Sequence, residues 1–440
     1  MNFRRALGIF FYLSLSFSLK AQQNESDTVA LVQLWEKAER NNKQLNTGRL
    51  SLQQMKQHTA VLRDDELPEI SAHGEYERVS GMPQYEDGLF HNPTFYPVIH
   101  QAYTLGAEAM LNVYNGGTTK RNIRANKIEE DIASEKLNLN RSEIRYQIAV
   151  DYLDIYRNLQ YKSLIEQDIK ERQQQDKQIQ SLFSKGVVLK SDVLRAELNL
   201  SKQQELLTQV ENSITIANQS LNQLTGDEEN HTTIPLMIAD SMRAAFPLLS
   251  DNYFNNTTDH SYEYNILQKH TEQTKLQLQQ VKSSLLPKIG LFAEYQYAYP
   301  QIQFYPYADA IYGLGMAGVR ASFSLSELYM NKKKQQEAQT KIDRSIMETQ
   351  DFADKLKVQI STLQIRYNEA LQRITIAKQH IATASETYRI THNSYFAQLS
   401  LLTDLLDAET QLLQAKMDHT TEQVNAEILY YQLQKTIGNL

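Results

Sequence analysis

The chain has 440 residues, with 52 acidic against 45 basic side chains, a formal charge of −7 and no cysteine. The acidic balance argues against a nucleic-acid partner, and the missing thiols exclude disulfides, thiolate metal sites and thioether lipid anchors. Apolar residues are scarce, mean hydropathy is negative and Gly and Pro are few, so an extended, thin-walled molecule is favoured over one large dry core.

Residues 1–21 read as a secretory signal peptide. Arg4 and Arg5 precede an apolar stretch from Ala6 to Leu19, and the chain turns polar at Lys20. A membrane anchor is the alternative, but the stretch is short for a span. A first repeat is then expected over 22–228. Its opening helix ends near Leu62, before the Leu67-Pro68 pair, because proline stops a helix. A strand follows at about 68–78, where Ile70, Ala72, Gly74 and Tyr76 alternate with Ser71, His73, Glu75 and Glu77. A second strand at about 103–114 alternates Tyr103, Leu105, Ala107, Ala109, Leu111 and Val113 with Thr104, Glu108 and Asn112. A long helix is expected at about 118–185, where no Gly or Pro occurs until Gly186, and a further helix at about 190–225.

A linker over 229–247 leads to a second repeat over 248–440. Its helix runs to about 285 and ends before Leu286-Pro287. Strands follow at about 288–298 and 315–326, then helices at about 329–397 and 401–437. Within the third of these elements Ala317, Val319, Ala321, Phe323 and Leu325 share one face. From Glu327 to Ile437 there is neither Gly nor Pro, and Leu363, Tyr367, Ala370, Ile374, Ala377, Ile381, Ala384 and Tyr388 form a coiled-coil seam. The other helix faces are polar, so the rods touch neighbours along edges and present water to both broad sides.

The two halves are copies. "LPEISAHGEY" from Leu67 echoes "LPKIGLFAEY" from Leu286, Gly106–Gly226 lies over Gly318–Gly438 without a gap, and "SDVLRAE" matches "TDLLDAE". Four alternating strands of membrane-spanning length cannot close a barrel, and an open edge in lipid leaves backbone groups unsatisfied. Several copies must therefore share one barrel, and the same assembly lets the polar-sided helices enclose a wet lumen. Aromatic residues crowd "EYQYAYPQIQFYPYADAIYG", as at the headgroup level of a barrel. A soluble β-rich surface domain is the alternative, and it leaves those rings unexplained.

Signal peptide, doubled unit, Leu-Pro before each first strand, "NVYNGG" (112–117) before a long helix and "D-x-L-x-A-E" after each long helix together resemble the TolC-like outer-membrane efflux proteins. The resemblance covers nearly the whole chain after the signal. It implies a mainly α fold with a small β part: a homotrimer whose chains each give four strands to a twelve-stranded barrel in outer-membrane lipid, continued by an α-barrel through the periplasm. It further implies an exit duct served by an inner-membrane pump and a periplasmic adaptor, the membrane fusion protein, which grips the helical tips around Phe183 to Asp192 and Tyr395 to Asp404. Type I protein secretion is the alternative on the same fold, and a secreted coiled-coil structural protein is the alternative in another class.

Asp404 and Asp407 match the family's acidic ring at the channel constriction. Three residues apart, they share a helix face, and in a trimer they would place six carboxylates around one axis. The competing reading of acids in a first helical turn is capping. Phe183, Gly186, Asp192 and Tyr395 match the tip gate or adaptor contact, with a helix C-cap as the other reading of Gly186. Ser400 stands where the family has a basic partner, with Lys190 or Arg195 read either as substitutes or as solvated surface charges, and Gln398 stands where a glycine belongs. Gly313, Gly315 and Gly318 have the spacing of a dinucleotide loop, yet they run into an alternating strand rather than a helix. His58, His270 and His380 lie on polar helices, and none of the ten histidines has a metal-ligand spacing. No cofactor and no catalytic constellation are implied.

Overall fold

The computed structural model describes residues 28–228, 231–235, 260–303 and 305–440. The expected signal peptide and most of the expected linker lie outside them. The first repeat carries β1 (Thr28–Val29), α1 (Leu31–Asn41), α2 (Lys43–Asp64), β2 (Glu69–Arg78), β3 (Met82–Gln84), β4 (Thr94–Tyr96), β5 (Gln101–Asn115), α3 (Thr118–Ser184) and α4 (Lys190–Thr225), and β6 (Ile234–Pro235) follows in the segment expected as linker. The second carries α5 (Tyr262–Ser283), β7 (Lys288–Tyr299), β8 (Tyr312–Ser322), α6 (Glu327–Phe396) and α7 (Leu402–Thr436).

The single opening helix expected before Leu67 is two helices. Asn42 interrupts it: its side-chain oxygen accepts from the backbone N–H groups of Gln44 (2.9 Å) and Leu45 (3.1 Å), starting a new helix, while its amide donates to Leu224 O at 2.9 Å. Neither helix before a Leu-Pro pair reaches the proline. α2 ends at Asp64 and α5 at Ser283, because proline pushes the residue ahead of it into extended backbone. β1 and β6 form a two-residue parallel pair that ties the first repeat's start to the segment expected as linker. Strands so short carry no periodicity for the sequence to display.

β2, β5, β7 and β8 form one antiparallel sheet in that order, so β2 and β8 are free edges. Its register resolves the alternation. Ile70, Ala72, Gly74 and Tyr76 face Ala109, Ala107, Leu105 and Tyr103, and that row continues through Ala293, Tyr295, Tyr297 and Tyr299 to Ala317, Gly315 and Gly313. All four apolar sets thus lie on one face. That face is the more exposed one: on β7, Leu291, Ala293, Tyr295 and Tyr297 are exposed while Phe292, Glu294 and Gln296 are half-buried. Water-soluble sheets bury the opposite set.

The last strand begins and ends earlier than its alternation implied. It pairs with β7 from Ala298↔Tyr312 to Lys288↔Ser322, so Phe323 and Leu325 fall past the start of their partner and turn toward α6. The shift adds Gly313 to Gly315 and Gly318 in the strand, where all three make room for rings on β7. A Cβ on Gly315 would lie 3.0 Å from the Tyr295 ring, and one on Gly318 2.9 Å from Phe292. Close packing of aromatics, rather than a phosphate, explains that motif.

α3 has 67 residues and α6 has 70, rods of about 100 Å each. α3 folds back on α4, and α6 on α7. Burial is distributed in separate clusters along the rods. One around Ile148, Tyr152, Ile155, Leu221 and Val424 also receives Leu34, Ala38 and Leu45; others surround Ile165 and Val210, or Leu356, Ile360 and Leu433. On the seam of α6, Leu363, Tyr367, Ala370 and Ala377 are buried and the remaining four positions half-buried. No helix among the described residues is long and apolar enough to cross a membrane.

Candidate functional site

The two interhelical tips have the same backbone. After α3, the Gly186 N–H donates to Phe183 O (2.9 Å) and the Val187 N–H to Leu182 O (2.9 Å); after α6, Gln398 donates to Tyr395 O (2.8 Å) and Leu399 to Ser394 O (2.8 Å). Both patterns are Schellman caps closed by a left-handed residue, Gly186 at φ 73° and Gln398 at φ 64°. The next helix starts alike in each copy. The Asp192 carboxylate accepts from the Leu189 N–H at 3.3 Å, and the Asp404 carboxylate from the Leu401 N–H at 3.2 Å. Helix-start chemistry is therefore present at both aspartates.

Side chains distinguish the tips. Phe183 is 40% exposed, with the Lys190 ammonium over its ring at 5.6 Å. Its counterpart Tyr395 is 7% exposed, packed with Ile179, Val193, Ala196, Leu402 and Leu405. Burial first, and the nearby Asp192 carboxylate second, push the Tyr395 phenol above its ordinary pKa. Asp192 and Tyr395, with Arg195, Gln398 and Ser400, line a groove of about 390 Å³ between the tips. Ser400 hydrogen-bonds back to Thr391 O at 3.5 Å. A second groove, of about 600 Å³, runs between α3 and α6 past Lys177, Ser181, His392 and Phe396. Asp404 and Asp407 are both exposed on α7, whose buried face is set by Leu402, Leu405, Leu406 and Ala408.

One polar cluster was missed by the sequence reading. Arg172 of α3 is 3% exposed; its Nε donates to Asp168 Oδ2 at 2.6 Å, and its Nη1 donates to Asn199 Oδ1 at 2.7 Å and lies 3.2 Å from Glu409 Oε2 of α7. The signal was available: Arg172 falls on the buried stripe of Ile165, Ile169 and Ile179, and Glu409 on that of Leu402, Leu406 and Leu413. Charges at seam positions demand partners. Among the described residues, no group of acidic or histidine side chains is arranged to hold a metal ion.

The fold recurs in solved structures of outer-membrane proteins. The chain aligns over 93% of its length with CusC, at TM-score 0.79, 13% identity and 92% of that chain. It aligns over 93% with VceC of Vibrio cholerae (TM-score 0.72, 16% identity, 96% of that chain) and over 93% with the outer membrane channel CmeC of Campylobacter jejuni (TM-score 0.75, 13% identity, 85% of that chain). A comparison with curated protein sequences found no match. The fold is therefore the one seen in these solved channel proteins. Residues 34–227 match the family model described as outer membrane efflux protein. The resemblance of this chain to the TolC-like outer-membrane efflux family is thereby borne out, in sequence over that span and in fold along nearly its whole length.

Proposed function

We propose that the protein is the exit duct of a tripartite efflux system, working as a homotrimer whose barrel lies in the outer membrane and whose helices cross the periplasm. The observation that carries this reading is the sheet. It has free edges at β2 and β8 and one uncovered apolar face running across all four strands. In lipid such an edge is satisfied only by another strand, so β8 of one copy must pair with β2 of the next until the ring closes. Three copies give twelve strands. Apolar positions exposed on the rods, such as Val358, Ile365 and Ile376 of α6 and Leu50 and Val61 of α2, supply further surface for neighbouring copies.

The tips would then face the periplasmic adaptor, with the groove between them as its seat and the pump behind it. Asp404 and Asp407 would form the constriction, their exposed face turned to the axis. The reading is tested by fractionating cells and running the outer membrane on gels without boiling. A heat-labile species near three times the monomer mass is expected; a monomer confined to the soluble fraction would sink the proposal.

A further inference from the structure

The cluster at Arg172 joins the two repeats. α3 and α7 run antiparallel, linked by Glu143 with Lys435 at 3.5 Å, by Tyr161 with Thr421, and nearest the tips by Arg172 with Glu409. Only the last link is sealed: Arg172 is 3% and Glu409 8% exposed. Two carboxylates, Asp168 and Glu409, share a single guanidinium. Burial leaves one excess negative charge, which a proton would cancel. Beside them is a void of about 20 Å³ lined by Asp168, Glu171, Tyr388, Glu409 and Lys416, room for about one water.

We propose that Asp168, Arg172 and Glu409 form an acid-tightened clasp between the repeats: a proton on Glu409 locks α7 against α3, and its loss as pH rises loosens the joint above the tips. The groups facing Glu409 are Asp168, Glu171, Arg172 and the neutral Gln175 from α3, Tyr388 from α6 and Lys416 from α7 itself, while the neutral Asn199 of α4 accepts from Arg172. Burial pushes the Glu409 carboxyl up to about 7 despite the pull of Arg172, and Asp168 is raised by burial too. Tyr388 is pushed up to about 12, chiefly by burial and then by Glu409, so it stays a neutral phenol.

The sign follows from linkage. With α7 apart from α3, Glu409 is hydrated and titrates near the ordinary 4.5, so the packed state holds the proton more tightly. Packing is most favoured in acid and weakens progressively as pH climbs from there through about 7. Between pH 5 and 8 the packing equilibrium should shift on the order of a hundredfold.

Because the chain has no cysteine, cysteines at exposed Gln180 of α3 and Thr410 of α7 can carry spin labels in the full-length protein. Pulsed dipolar spectroscopy should show the short-distance population growing as pH falls from 8 to 5. Glu409→Gln, neutral at every pH, should keep that population throughout, and Arg172→Gln should move the transition to higher pH. Distances that ignore pH in the parent, or a transition unchanged in Glu409→Gln, would overturn the clasp. Its consequence for a duct rests on the function proposed above, and bilayer conductance separates the two: a pH-dependent distance without conductance refutes the duct and leaves the clasp standing.

Discussion

The tip between α3 and α4 and the tip between α6 and α7 are the same backbone carrying different work. Cap, left-handed residue and carboxylate at the start of the next helix coincide bond for bond. Yet Phe183 is half out in water where Tyr395 is buried, Gly186 is replaced by Gln398, and Arg195 stands where the second copy has Asp407. Local hydrogen bonding needs only the helix ends, so it survives the duplication. The side chains diverge because each tip meets different neighbours.

The largest expected effect breaks that symmetry in the packing. Tyr395→Ala should cost roughly 3 to 5 kcal/mol of local stability, the range for emptying a buried aromatic site, whereas Phe183→Ala at a 40% exposed position should cost a fraction of that. Hydrogen exchange at the two tips measures both, and equal losses would dissolve the distinction. A smaller effect concerns charge. Asp404→Asn combined with Asp407→Asn should weaken block of reconstituted channels by multivalent cations about tenfold, equivalent to ~1.4 kcal/mol, while Asp192→Asn should change it little. Unchanged block in the double variant would remove the constriction from the account. The smallest effect sharpens the backbone comparison. Gln398→Gly should relieve left-handed strain and stabilise its tip by about 1 kcal/mol, and Gly186→Gln should destabilise the other by about as much; unfolding midpoints of the two variants moving the same way would contradict it.

The strands were readable because a period of two survives whatever the neighbours are: every apolar position picked from β2, β5 and β7 lies on one face of the sheet, apart from Val113 at the bulge in β5. The frame of β8 was not readable. Phe323 and Leu325 continue its alternation, and only the length of β7 decides that they are left unpaired. Asn42 differs: its break is local, since its side-chain oxygen caps the Gln44 and Leu45 N–H groups, and only the bond from its amide to Leu224 O is long-range. The tip residues were marked by the family resemblance; Arg172 and Glu409 lie on the buried stripes of their helices, but their pairing with each other joins helices distant in the chain and no single segment displays it.

By itself the sequence determined the doubled plan, the strand alternation and the unbroken rods, because these follow from spacing and from the absence of helix breakers along a single segment. Tertiary structure alone decided which face of the sheet stays uncovered, where its last strand stops, and that one arginine is shared by two carboxylates from opposite repeats. Each of those outcomes is a property of pairs of segments distant in the chain, and burial and charge acquire their magnitude only when such segments meet.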